Sequence, residues 1–238
     1  MKSLPPTPET FALIADAGDR LLRDLDRLTD ADAAAPSRLD GWSRAHVLSH
    51  LSAQVDALER LLHWARTGTE TPQYADRSAR DTEIEDGSRQ PAAALVERVR
   101  GSADRFLTTV RELPDPAWQA VVRPFTGELC TPGRILVIRL RELEVHHTDL
   151  GLGYGFGDIP RPAVDVLLDD VSGYLAAADG TPPCTLRDDT GARVTAFGSG
   201  GPVVTGPRGA LLAWLTGRST GEGLTAPGGA LPQLPAWI

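Results

Sequence analysis

Apolar residues recur at three- and four-residue steps through residues 9–29, where Phe11, Ile14, Ala17, Leu21, Leu25 and Leu28 share one face. That period predicts a helix, which the Ala-Pro-Ser around Pro36 interrupts. A second helix is expected to open at Ser43, a good N-cap after Gly41-Trp42, and to run to about Arg66 before Gly68. Val47, His50, Gln54, Ala57, Leu58 and Leu61 fall on one stripe of it, so His50 faces the same core as its apolar neighbours. Residues 69–90 read as a polar, irregular link with a short helix through Ala79–Glu85. A third helix starts near Pro91, carries Leu95, Val99, Phe106, Val110 and Leu113, and stops at Pro114. Residues 114–130 read as loop with some extended structure. Thr131-Pro132 then opens a fourth helix that runs to Leu150 and ends at Gly151.

Four helices of this length predict a four-helix bundle. The pattern changes after the glycine-rich stretch from Gly151 to Pro160. Residues 161–178 read as a helix, and the runs at Thr185–Asp188 and Ala192–Phe197 flank Asp189-Thr-Gly191 as a hairpin. Val203-Val204 makes a third short strand, and a helix from Gly209 to Thr216 closes at Gly217. The sequence therefore predicts a mainly α chain of two domains. Residues 1–152 form the bundle, and residues 153–238 form a small α+β domain.

Composition narrows the partners. The chain has 238 residues and a net charge of 24 − 32 = −8, with Lys2 its only lysine and no basic run. Such a chain is expected to avoid nucleic acid and anionic membranes. No apolar run follows Met1-Lys2 and none approaches a membrane span, so a cytoplasmic protein is expected. Cys130 and Cys184 make no disulfide framework and read as reduced thiols.

The chemistry lies in Arg139-Leu-Arg-Glu-Leu-Glu-Val-His-His-Thr-Asp-Leu150. On a helix, Glu142 and His146 are four residues apart, about 40° around the axis, on a stripe with Ile135, Ile138, Arg139 and Asp149. Glu144 falls roughly opposite. His147 points about 100° away from His146 and reads as a neighbour only. A carboxylate and an imidazole on a core-facing stripe need compensation, and a metal is one remedy. Facing helices of a bundle can build such a site, with His50 as the third ligand and His46, one turn earlier, competing for that role. Taken singly, each histidine is equally read as a hydrogen-bonded core residue. Asp149, one turn past His146, could accept the free ring N–H of that histidine. Arg80 and Arg218 are, by position alone, surface residues.

These residues also carry a resemblance. Gly41-Trp-Ser-Arg-Ala-His-Val-Leu-Ser-His50, Ala79-Arg-Asp-Thr-Glu-Ile84, Arg139-Leu-Arg-Glu-Leu-Glu-Val-His146 with Asp149-Leu-Gly151, Phe156-Gly-Asp-Ile-Pro160 and Gly217-Arg218 resemble the mycothiol-dependent maleylpyruvate isomerases. That family belongs to the DinB-like superfamily of metal-binding bundles. The resemblance implies zinc held by His50, Glu142 and His146, and substrate-site arginines at Arg80 and Arg218. The chain departs from the family pattern at Leu143-Glu144 and His147-Thr148.

The implied activity is cis–trans isomerisation of maleylpyruvate to fumarylpyruvate, a step of gentisate breakdown. A C=C bond does not rotate until a thiolate adds to it, and elimination after rotation restores it. Mycothiol would supply the thiol and the metal would lower its pKa, while arginines would hold a small dicarboxylate. Two other readings share these residues: a mycothiol-dependent S-transferase acting on another electrophile, and a non-catalytic metal-binding stress-response protein. The sequence leaves the oligomeric state open.

Overall fold

The computed structural model describes residues 2–237 and divides into two compact units. One is Ser3–Tyr154; the other holds Lys2 and the chain from Gly155 onward. Among the described residues no helix is long and apolar enough to cross a membrane.

The first unit contains α1 (Pro8–Leu25), α2 (Asp30–Ala34), α3 (Arg44–Thr67), α4 (Arg77–Ser88), α5 (Ala92–Arg111) and α6 (Pro132–Asp149). The long helices pack in a ring: α1 on α5, α5 on α3, α3 on α6, and α6 on α1. This is the expected bundle, and Leu21, Leu48, Leu51, Leu58, Leu95, Phe106, Ile135 and Leu136 are fully buried in it. The ring order makes α3 and α6 neighbours, which decides the site.

Local signals set most of the boundaries. Ser43 caps α3, and Gly68 closes it with φ of 74°. That left-handed conformation suits a residue without Cβ. α1 ends at Leu25 rather than near residue 29, because Thr29 is itself the cap of α2. Its hydroxyl accepts the Asp32 N–H while the Asp32 carboxylate accepts the Thr29 N–H, a complete capping box. The Asp30 carboxylate then accepts the Ala92 N–H at 2.7 Å, capping α5 in place of Pro91. Thr131 precedes α6 but makes no side-chain cap.

The short helix expected through Ala79–Glu85 is α4, which runs two residues further at the start and three at the end, twelve residues in all, and carries Arg80. Asp76 caps it through the Ala79 N–H at 2.8 Å. α4 lies close on α3 at Gly87, where a Cβ would come within 2.2 Å of Ser49 Oγ. Residues 115–119 form a 3-10 turn, and Val122 pairs with Cys130 in an antiparallel bridge.

The second unit contains α7 (Arg161–Ala177), β1 (Cys184–Arg187), β2 (Arg193–Phe197), β3 (Val203–Thr205) and α8 (Arg208–Leu215). The sheet order is β2-β1-β3, with the expected β1–β2 hairpin antiparallel and β3 parallel to β1. α7 packs on α8 and β2. Asp188 anchors the hairpin turn: its carboxylate accepts from Thr190, from the Ala192 N–H and from Arg208.

Candidate metal centre

α6 is enclosed around its whole circumference. Sixteen of its eighteen residues are buried, and the two that keep access are Glu142 and His146. A helix buried on all sides would ordinarily be apolar. This one buries Arg134, Arg139, Arg141, Glu144, His147 and Asp149, so each polar group needs a partner.

Glu142 and His146 meet His50 of α3. Glu142 Oε2 lies 2.9 Å from His50 Nε2 and 3.2 Å from His146 Nε2. The two imidazoles meet edge to face with centroids 4.8 Å apart, and Trp42 lies 5.7 Å from the His50 ring. His146 Nδ1 donates to Asp149 Oδ2 at 2.9 Å, which leaves Nε2 for the centre. Arg141 Nη2 reaches Glu142 Oε1 at 3.3 Å. The ends of both helices are tied together nearby. Arg44 Nε donates to the Leu150 carbonyl at 2.7 Å, and the Arg38 N–H donates to the Asp149 carbonyl at 2.7 Å.

The electrostatics follow from this enclosure. Burial pushes Glu142 up, but the bonds from His146 and His50 outweigh it and hold the carboxyl well below its ordinary value. Burial likewise pushes His146 down, and its bonds to Asp149 and Glu142 reverse this to about 9. His50 is pushed down, because burial outweighs its bond to Glu142.

The donor set fits a divalent cation. One ligand atom from each of His50, Glu142 and His146 lies within 4.8 Å of the others, a span that two bonds of about 2.0–2.2 Å nearly close. His50 Nε2 and His146 Nε2 both converge on the Glu142 carboxylate, the neutral-nitrogen and carboxylate donors that such an ion takes. Three protein ligands and one open position is the pattern of catalytic zinc, and nickel, copper or iron accept the same donors.

The other predicted residues separate. His46 is spent locally: its Nδ1 accepts the Ser43 N–H at 3.2 Å, and its Nε2 lies 3.0 Å from Glu85. That capping role takes it out of competition with His50. Arg80 pairs with Asp81 at 2.9 Å, and its charge reaches His50. Arg218 follows α8, donates to the Thr216 carbonyl at 2.9 Å and lies over the Trp237 ring at 5.3 Å. Burial raises both thiols, Cys130 to about 11, so neither is an activated nucleophile.

Sequence reasoning missed a second polar cluster on α6. Glu144, expected on the far side, is 1% exposed and takes Arg20 Nη2 at 2.5 Å and the Tyr154 hydroxyl at 2.7 Å. His147, expected to be a bystander, stacks on Tyr154 at 3.8 Å and bonds Asp24 at 2.8 Å. Period alone marks one stripe per helix, so it gave no signal for Arg20 and Asp24 on α1. Arg139, expected on the core-facing stripe, donates to the Leu51 carbonyl and Gln54 and faces Phe106.

A family model described as the mycothiol maleylpyruvate isomerase N-terminal domain matches residues 14–151, and the MDMPI C-terminal domain model matches residues 158–236. A crystal structure of the mycothiol-dependent maleylpyruvate isomerase superposes with a TM-score of 0.87 at 31% identity, covering 100% of both chains. A histidine-to-alanine mutant of that isomerase gives 0.89 at 30% identity, again over 100% of both chains. No curated protein sequence matches. With both domain models placed in order and the likeness running the full length, the chain belongs to the mycothiol maleylpyruvate isomerase family.

Proposed function

We propose that this protein catalyses the mycothiol-dependent cis–trans isomerisation of maleylpyruvate to fumarylpyruvate, with His50, Glu142 and His146 as ligands of a zinc ion. The observation that carries the reading is the pairing of family membership with a convergent two-histidine, one-carboxylate site that keeps access only at Glu142 and His146. A bound zinc would lower the pKa of a coordinating thiol, so that mycothiol arrives as thiolate near neutral pH.

The residues of the chain do the rest. His50 and His146 present Nε2, and Asp149 fixes the tautomer and direction of His146. The enclosing walls of α3 and α6 limit water around the site. Thiolate addition to the C=C bond places negative charge on the substrate, as an enolate, and elimination after rotation returns the electron pair to the double bond. Arg80, whose charge already reaches His50, is proposed to hold a substrate carboxylate, and Arg218 is proposed as a second carboxylate-binding arginine. Cys130 and Cys184 take no part, since both thiols are raised.

The test is turnover of maleylpyruvate by the purified chain with and without mycothiol. Isomerisation that needs the thiol and does not consume it is the expected result. Consumption of thiol in proportion to product would make the protein a transferase, and turnover after exhaustive removal of small thiols would refute an external nucleophile.

A further inference from the structure

Among the described residues Arg139 is the largest side chain with almost no access to solvent, at 1% exposed. Neither the metal centre nor the proposed reaction uses it. Arg134 and Arg141 of the same helix reach carboxylates, Glu128 at 2.8 Å and Glu142 at 3.3 Å. Arg139 instead donates from Nη1 to the Leu51 carbonyl at 3.0 Å and to Gln54 Oε1 at 3.2 Å, both buried on α3. Its guanidinium lies 5.9 Å from the Phe106 ring of α5. Burial pushes it down to about 10, so it keeps its charge at neutral pH. Enclosing that charge is costly, and a methionine would fill the space without the cost. Buried polar groups kept despite such a cost are best attested as devices that fix the register of one helix on another.

The place of the tie shows which register it fixes. Leu51 and Gln54 come one and four residues after His50 on α3, and Arg139 comes three residues before Glu142 on α6. The tie therefore lies within about one turn of the His50–Glu142 contact on both helices. On the other side of that contact, Arg44 at the start of α3 donates to the Leu150 carbonyl at the end of α6 at 2.7 Å. His50, Glu142 and His146 are thus bracketed on both helices. Sliding α6 along α3 by a single residue moves Glu142 about 1.5 Å relative to His50. Metal–ligand bonds hold to within about 0.2 Å, so a slip far smaller than one residue is enough to spoil the site.

We infer that Arg139 is a positioning residue of the metal centre: its two bonds to α3 set the register at which His50 faces Glu142. The inference rests on the ligand set of the proposed function. It also carries a sign that charge alone does not give. A positive charge inside the protein repels a bound cation, so removing it would by Coulomb's law tighten zinc binding. Losing the tie weakens it.

The test uses the full-length chain with Arg139→Met, Arg139→Lys and Gln54→Leu. Competition with a chromophoric chelator reads zinc affinity, and the visible absorption of cobalt-loaded protein reads coordination geometry. Circular dichroism and a thermal melt of the metal-free protein report folding. Arg139→Met should bind zinc about tenfold or more weakly and shift the cobalt bands, and Arg139→Lys, which keeps the charge and a donor, should recover part. Gln54→Leu, which removes one acceptor, should weaken zinc binding about threefold. Wild-type or tighter zinc binding with unchanged cobalt bands in folded Arg139→Met overturns the inference, and a lower melting point alone would assign Arg139 to the stability of the bundle. If Arg139→Met does not fold, Gln54→Leu decides: weaker zinc binding in a folded protein upholds the inference, and wild-type affinity overturns it. Loss of zinc in Glu142→Ala beside wild-type affinity in Arg139→Met removes the inference only, whereas zinc retained in Glu142→Ala removes the ligand set and the inference with it.

Discussion

Replacing Asp149 by asparagine tests the metal centre at a residue that is not a ligand. Asp149 is fully buried, and its Oδ2 accepts from His146 Nδ1 at 2.9 Å. The backbone carbonyl of Asp149, which takes the Arg38 N–H, is untouched by the change. Asparagine keeps the shape and an acceptor oxygen but removes the charge. In a loaded site that charge orients the imidazole and increases its donor strength, and losing such a partner costs about 10–100-fold in metal affinity. On the energy scale this is about 1.4–2.7 kcal/mol. Because one oxygen of the pair is retained, Asp149→Asn should sit near the tenfold end, and Asp149→Ala near the hundredfold end. Zinc affinity from competition with a chromophoric chelator reads the effect, and a thermal melt of the metal-free protein separates it from unfolding. Equal zinc affinity in wild type and both variants would refute the reasoning, since His146 would then owe neither its direction nor its basicity to Asp149.

Four further outcomes are expected. His50→Ala, Glu142→Ala and His146→Ala should each lose most of a content of about one zinc per chain, whereas His63→Ala should keep it; full retention in the first three, by elemental analysis, removes the assignment. Arg80→Ala and Arg218→Ala should each lower kcat/KM by about one to two decades with zinc retained, with Arg→Lys recovering only part and Arg111→Ala, an exposed control, at wild-type level. Tyr154→Phe removes a donor from the buried Glu144 carboxylate and should destabilise the protein by about 1–3 kcal/mol, read as a denaturant midpoint shift; an unchanged midpoint would mean the Arg20 contact suffices. The Asp188 carboxyl is held at about 2, below its ordinary 3.8, by the Thr190 hydroxyl first and by Arg208 and the backbone N–H groups of Ala192 and Thr190. A lowered folded-state pKa contributes stability that is full above about 4 and is lost as pH falls to about 2. The stability gap between wild type and Asp188→Asn should therefore close over that window, and a gap independent of pH would count against the carboxylate.

Much of this molecule was legible locally. Ser43 and Gly68 bound α3, Pro132 and Gly151 bracket α6, and the hairpin turn lies at Asp189-Thr-Gly191. Caps, prolines and glycines act within a few residues, so a linear reading reaches them. The Glu142–His146 pair was also legible, because four-residue spacing on a helix fixes a shared face whatever the helix packs against. The third member, His50, stood out as a polar residue on an apolar stripe, and the resemblance assigned its role.

What lay beyond the sequence depends on which helices become neighbours. The ring order puts α3 beside α6, so His50 meets Glu142; it also puts α1 beside α6, so Arg20 and Asp24 meet Glu144 and His147. A periodic pattern marks one buried face, and α6 has no exposed one, so the pattern assigned Glu144 a far side that solvent does not touch. The spacing of residues determined what each helix could present. Tertiary packing determined what each presented group would meet, because a buried charge or hydroxyl takes its energy from its partner rather than from its position in the chain.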